Sequence, residues 1–243
     1  MKDFLQDLVA HTHSLGFLPI VKITATEKGA VIESMAEDRS VILNAKTKDS
    51  VDSLEGTFGM PNLNKLDILL KCPEYKENYT IEVVKQERNG ETIPTGLHFQ
   101  NGSKDFENDY RFMNQDIINE KLKTVKFKGT SWDIDFKPAM ASIQRFKFQS
   151  ASHSEEPTFQ VTTKDGNLVF SFGDATTHAG NFVFQSGVSG KLKSTWSWPV
   201  TQVQSLLNLT GDITMRIADA GALQITVDSG ITEYEYILPA QSK

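Results

Sequence analysis

The feature that most constrains this chain is that it says the same thing twice. GTFGMPNLNKLDILLK (Gly56 to Lys71) returns in altered form as STWSWPVTQVQSLLNL (Ser194 to Leu209), and a shift of about 137 residues extends the match along both halves. GAVIESM (Gly29 to Met35) lies over GNLVFSF (Gly166 to Phe172), with Gly and Ser matched and apolar residues between them. Tyr79, Ile81 and Val83 lie over Ile213, Met215 and Ile217, and Tyr110 to Phe112 over Tyr234 to Tyr236, once a longer hairpin in the first half is allowed for. A chain of 243 residues is long enough for one large domain or two ordinary ones. The repeat decides for two similar domains, 1–113 and 130–243. Between them NQDIINEKLKTVKFKG (Asn114 to Gly129) has mixed charge and weak period and reads as a connector.

Each half has the pattern helix, strands, helix, strands. The first helix lies within Lys2 to Ser14 and is expected to bury Phe4, Leu5, Leu8, Val9 and Thr12, leaving Asp3, Gln6, Asp7, Ala10 and Ser14 on the outer face. The second, Asn64 to Cys72, buries Leu66, Leu69 and Leu70 and ends at Pro73. A third starts at Pro138 and buries Ala139, Ile143 and Phe146. The fourth starts near Thr201, ends before Gly211 and buries Val203, Leu206 and Leu207. Short alternating runs bounded by turn signals such as Lys164 to Gly166 and Asn89-Gly90 make up most of the remainder. The expected class is α+β, sheet with helices on one face.

The motifs of common chemistries are missing. There is no phosphate-binding glycine loop of Walker type, no HExxH and no GxSxG, so a non-enzymatic role without cofactor or metal is expected. His11 and His13, two apart on a helix, diverge by about 200° and cannot chelate one ion; surface or capping roles are expected for them. FGDATTHAG (Phe172 to Gly180) gathers Asp, Thr and His without placing a nucleophile against an oriented base, and reads as a polar loop. Cys72 is the single cysteine, which excludes a disulfide framework and fits a reducing, cytoplasmic setting; it is expected to be a small buried hydrophobe. No stretch reaches membrane-spanning length.

Charge is unevenly distributed. The chain is net −6, yet the four helix-bearing segments carry Lys2, Lys65, Lys71, Lys76, Lys137, Arg145 and Lys147 against Asp3, Asp7, Asp67 and Glu74. Mildly positive helices on an acidic body can be scattered lysines and nothing more, or a contact with nucleic-acid phosphates that is blind to sequence.

With these parts in order, the chain resembles the DNA sliding clamps of the two-domain kind, proliferating cell nuclear antigen and the clamps of T-even-like bacteriophages. The resemblance rests on GAVIESMAEDRSVIL (Gly29 to Leu43), the Pro-led second helix ending in LLKC (Leu69 to Cys72), DYRFM (Asp109 to Met113), DGNLVFSF with GNFVFQSG (Asp165 to Gly187), and the terminal YEYILPA (Tyr234 to Ala240). It covers nearly the whole chain in order. It implies two topologically similar clamp domains, each of two β-α-β-β-β units, with helices lining a channel and sheets outside. It further implies a homotrimeric ring around duplex DNA, held at subunit joints where Glu107 to Met113 of one copy pairs with Gly180 to Ser186 of the next; Tyr110, Phe112, Phe182 and Phe184 are the interface residues on that view.

The same resemblance implies a non-catalytic processivity factor that tethers a replicative DNA polymerase after loading by a clamp-loader ATPase. Lys2, Lys65, Lys71, Lys137, Arg145 and Lys147 become the DNA-contact candidates. Partners would enter a pocket formed by Met35, Arg39 and Val41, by Ile117 and Ile118 of the connector, and by Tyr236, Ile237, Leu238 and Pro239. Two other readings stay open on the sequence: a non-encircling polymerase accessory subunit of the same fold, and a β-rich structural or interaction protein with an internal repeat. The fourth helix has no base and the first carries Asp3 and Asp7, so any grip on DNA is expected to be weak.

Overall fold

In the computed structural model, every residue is described except 52, 89, 124–126, 128, 175, 177, 242 and 243. The chain forms two compact units. One holds Met1–Lys126 with Ser229–Tyr234, the other Phe127–Asp228 with Glu235–Lys243.

The first unit opens with α1 (Lys2–Ala10), followed by β1 (Val21–Thr26), β2 (Gly29–Met35), β3 (Ile42–Thr47) and β4 (Gly56–Met60). Then come α2 (Leu63–Lys71), the long hairpin β5 (Tyr79–Arg88) and β6 (Glu91–Asn101), β7 (Glu107–Arg111) and α3 (Gln115–Lys121). Its strands are ordered β4-β1-β2-β3 and β5-β6-β7. The second unit begins with β8 (Ile134–Phe136) and α4 (Met140–Ser152), then β9 (Thr158–Lys164), β10 (Asn167–Phe172), β11 (Gly180–Gln185) and β12 (Trp196–Pro199). It continues with α5 (Val200–Leu207), β13 (Asp212–Ala218), β14 (Ala222–Asp228) and β15 (Thr232–Pro239), whose first residues belong to the first unit. Here the orders are β11-β10-β9-β12 and β15-β14-β13-β8.

The repeat read in the sequence is therefore a repeat of topology. β4-β1-β2-β3 matches β12-β9-β10-β11 strand for strand, β5-β6-β7 matches β13-β14-β15, and α1 and α2 match α4 and α5. Alternation sets the registers: along β10 every second residue is buried, Leu168, Phe170 and Phe172, and a one-residue slip would turn all three to solvent. The β9–β10 hairpin closes through Asp165 and Gly166, both at positive φ (51° and 74°), the conformation a two-residue hairpin turn demands. The Asn89-Gly90 turn signal, between β5 and β6, lies partly outside the described residues.

The two echoed stretches are the same corner built twice, a strand running into a helix. Phe58 and Met60 are buried on β4, as Trp198 is on β12, where its Nε1 donates to the Leu238 carbonyl at 3.0 Å. Phe146 of α4 centres the second unit's core, edge-on to Phe159 at 4.8 Å and to Phe170 at 5.8 Å. Such pairs contribute about 0.5–1.5 kcal/mol each beyond the area they bury.

Several local expectations are corrected. Ala139 is the exposed residue before α4 and is not buried; Pro138 precedes the helix, because its first turn begins only at Met140. The end of α5 stands as expected: it stops before Gly211, at Leu207 with Asn208 as its cap. Cys72 is half-buried. His11 is buried and Asp7 is drawn inward with it, because Ser229–Tyr234 covers the flank of α1 that helical periodicity assigns to solvent. His11 Nδ1 donates to the Asp7 carbonyl at 2.9 Å and approaches the Asp7 carboxylate at 3.1 Å, while its ring stacks on Tyr234 at 4.4 Å.

Candidate functional site

The six cationic candidates divide by what holds them. Lys65 and Lys71 ride the exposed side of α2, which follows a left-handed Asn62 at the end of the β4 corner. Lys71 is paired with Asp67 at 2.6 Å, one turn earlier. Lys2 is directed inward: its ammonium donates to the Tyr75 carbonyl and lies 4.3 Å from the centre of the Tyr79 ring. Lys137 reaches Asp212 at 3.3 Å. The charged groups of Lys65, Arg145 and Lys147 form no ion pair or hydrogen bond among the described residues. Arg145 stands on the outer face of α4, and Lys147 edges a groove of 380 Å³ between α4 and α5 whose wall mixes hydroxyls and amides, among them Thr201, Gln204 and Asn208, with the apolar Ala151, Pro157 and Val200 and one carboxylate, Glu156.

The aromatic residues named for the joint anchor the strands that would form it. β7 is the outer strand of β5-β6-β7 and β11 the outer strand of β11-β10-β9-β12, so each has one side of its backbone without a strand partner among the described residues. Tyr110 is buried beneath β7 and its hydroxyl donates to the Pro61 carbonyl. Phe112 stacks on Phe58 at 4.2 Å; Phe184 stacks on Phe170 at 4.2 Å, and Phe182 meets Phe170 edge-on at 5.9 Å. The edge is shorter than the sequence implies, because Met113 is taken up by β4 through two 2.8 Å bonds with Gly59. On the face of β7 away from Tyr110, His98 Nδ1 bonds the Asp109 carboxylate at 2.9 Å. That bond, with the Arg111 charge nearby, holds Asp109 below the usual carboxylate range.

Of the residues named for a partner pocket, Val41 and Ile118 in the first unit and Tyr236, Ile237 and Leu238 in the second are buried. Met35 is half-buried, and Arg39, Ile117 and Pro239 are exposed. The connector is more structured than its sequence implied. Asn114 caps α3 by accepting from the Ile117 amide at 3.0 Å, and Ile118 seats the helix on β4. Gly59 permits that seat, since a Cβ there would lie 2.8 Å from Ile118. The signal was present in NQDIINEKL: a capping Asn, an acid in the first turn, and Ile118 and Leu122 at helical spacing. Residues 124–126 and 128 of the expected connector lie outside the described residues.

The loop Phe172 to Gly180 shows no catalytic geometry in its described part: Asp174 accepts from the amide and hydroxyl of Thr176 at 2.7 and 2.6 Å, an Asx turn, while residues 175 and 177 lie outside the description. Among the described residues no group of three His, Cys, Asp or Glu could hold a metal ion, and no helix is long and apolar enough to cross a membrane.

No protein-family profile matches the chain, and no curated protein sequence matches it. Solved structures do. The chain superposes over its full length on 95% of A. fulgidus PCNA, solved with the C-terminal region of FEN-1 bound, at a TM-score of 0.68 and 12% identity. PCNA from Thermococcus kodakaraensis matches over 99% of this chain and 97% of its own, at a TM-score of 0.67 and again 12% identity. At that identity the likeness speaks for architecture alone, and the architecture is plain: the chain has the mixed α+β fold of the PCNA-type sliding clamps.

Proposed function

We propose that the chain is a subunit of a DNA sliding clamp. Copies close head to tail into a homotrimeric ring around duplex DNA, and the ring tethers a replicative DNA polymerase after a clamp-loader ATPase has placed it. The observation that carries the proposal is that β7 in one unit and β11 in the other each end a sheet, as β4, β5, β8 and β12 also do. Two different unpaired edges on one chain make a heterologous joint, and a joint of that kind closes into a ring when its rotation divides the circle. Pairing them also removes two edges that natural proteins seldom leave bare.

DNA contact in this scheme is electrostatic and blind to sequence. Lys65, Arg145 and Lys147 have their charges available to phosphates, Lys71 and Lys137 would exchange a surface carboxylate for a phosphate, and Lys2 adds little because Tyr75 and Tyr79 already hold it. So thin a grip suits a ring retained by topology. The rest of an acidic chain repels DNA. Partners would meet Met35, Arg39 and Ile117, the members of the expected pocket in the first unit that reach solvent. The A. fulgidus protein bound to a FEN-1 segment supports peptide docking as the partner mode. The role is mechanical and needs no bond making.

Two measurements test the proposal together. The mass in solution at micromolar concentration should be that of three chains. The loaded protein should stay on nicked circular DNA and leave linear DNA from its ends, at salt that abolishes ordinary phosphate binding. A persistent monomer, or equal loss from circles and linear DNA, would refute encirclement.

A further inference from the structure

We propose that the outward ridge of α4 is a stacking surface for the unpaired bases of single-stranded nucleic acid, with Phe148 as the ring that a base covers. This goes beyond encirclement of duplex DNA and does not require a ring.

α4 buries Ile143, Phe146 and Ser150. At about 100° per residue, Phe148 stands on the opposite side of the helix, with Gln144 about 40° to one side of it and Arg145 about 60° to the other. Phe148 is 72% exposed and Met140, two turns earlier on the same helix, is 68% exposed; among the described residues only Ile68 of α2, at 61%, comes close as an exposed large hydrophobic. Phe146 fills the core two residues before it, so the fold does not use the Phe148 ring. Isolated apolar side chains on a surface need no explanation. What sets this one apart is its setting.

α4 carries Arg145 and Lys147 and no acid, and α5 carries no charged residue at all, in a chain that is net −6. Beside the ridge lies the groove between α4 and α5, where Thr201, Gln204, Ser205 and Asn208 offer donors and acceptors alongside Lys147, and where Glu156 is the one acid in the lining. An apolar protein partner would find one ring among cations and amides. A polyanion with flat bases finds phosphates answered by Arg145 and Lys147, base edges by the amides and hydroxyls, and a base face by Phe148, with Glu156 the one lining group that opposes it. Duplex DNA keeps its base faces stacked inside, so the ring has nothing to cover there. The fitting occupant is single-stranded.

The test uses the full chain and dT oligomers. Phe148→Trp should report stacking as fluorescence quenching on titration, read as the difference from the parent protein, which already contains Trp132, Trp196 and Trp198. Phe148→Ala should weaken dT binding by about fivefold or more, the low end of what one stacked base supplies, and leave the affinity for blunt duplex of equal length unchanged. Arg145→Ala should weaken both and reduce the salt slope for the single strand by about 0.7. Absence of quenching, or equal dT affinity of parent and Phe148→Ala, overturns the proposal. A Phe148→Ala chain that keeps its dT affinity but loses mass in solution would assign the ridge to contact between copies and overturn it equally. None of these titrations depends on ring closure, so this inference and the clamp reading fail separately.

Discussion

Replacing Asp7 tests whether the C-terminal return of the chain is locked to its first helix. The Asp7 side chain is 9% exposed and one oxygen accepts from Tyr234 Oη at 2.8 Å and Ser229 Oγ at 3.0 Å, while the other faces His11 Nδ1 at 3.1 Å. Burial pushes the carboxyl up, but the hydrogen bonds from His11 and Tyr234, the His11 charge and the Ser229 bond together outweigh it, and Asp7 lies below its ordinary 3.8. Asp7→Ala removes the acceptor common to three groups. Breaking a buried, hydrogen-bonded charge of this kind costs about 3 kcal/mol. For a chain of this size about 1 kcal/mol moves Tm by roughly 2–4 °C, so thermal unfolding followed by circular dichroism at pH 7 should fall by about 6–12 °C.

The sign with pH follows from linkage. A carboxyl whose folded pKa is depressed contributes stability above its unfolded value, and that contribution fades as pH falls through the folded pKa. The Tm gap between the parent and Asp7→Asn should therefore be full at pH 7 and above, begin to close below about pH 4, and vanish in stronger acid. An unchanged Tm in Asp7→Ala, or a gap to Asp7→Asn that stays constant from pH 7 down to the acid limit, would refute the lock.

Gly59→Ala places a Cβ 2.8 Å from Ile118, so it should cost about 1–3 kcal/mol and speed amide exchange across Gln115–Lys121 more than elsewhere; uniform exchange would show that α3 is not seated on β4. Burial raises the Tyr110 phenol above its ordinary 10.0. The stability it supports is therefore full below pH 10 and falls as pH climbs beyond; Tyr110→Phe should cost about 1 kcal/mol at pH 7 and blunt that alkaline loss, measured by denaturant midpoints. Lys65→Ala should lower the salt slope of duplex binding by about 0.9, while Lys2→Ala should leave it nearly unchanged, because the Lys2 ammonium is already engaged. A Lys2→Ala slope as reduced as that of Lys65→Ala would refute the ranking of the cations.

Part of the site was legible in the sequence. Phe146 and Phe148 are two apart on one helix, so one had to face out, whereas the run NQDIINEKL reads as a connector of weak period although it holds the capping Asn and helical spacing of α3. The helix lysines could be named but not ranked, since sequence spacing shows that Lys71 can reach Asp67 and gives no sign that Lys2 meets Tyr75, 73 residues away. The partner-pocket residues show the same limit: an apolar run such as YILPA says that something covers it, and the unit's own packing does so for Tyr236, Ile237 and Leu238, leaving Pro239 exposed and Ala240 half-buried.

What the sequence determined by itself is whatever depends on local period and on the repeat: two copies of one strand-to-helix corner, the buried faces of α1, α2 and α5, and the alternation that sets β2 and β10. Tertiary structure alone decided which edges stay open, which cations are occupied, and that Asp7 and His11 lie inside. The physical reason is distance along the chain. Helical periodicity states which side of α1 is apolar, but the segment that closes over its flank arrives 222 residues later, and only the fold brings Ser229 and Tyr234 to Asp7.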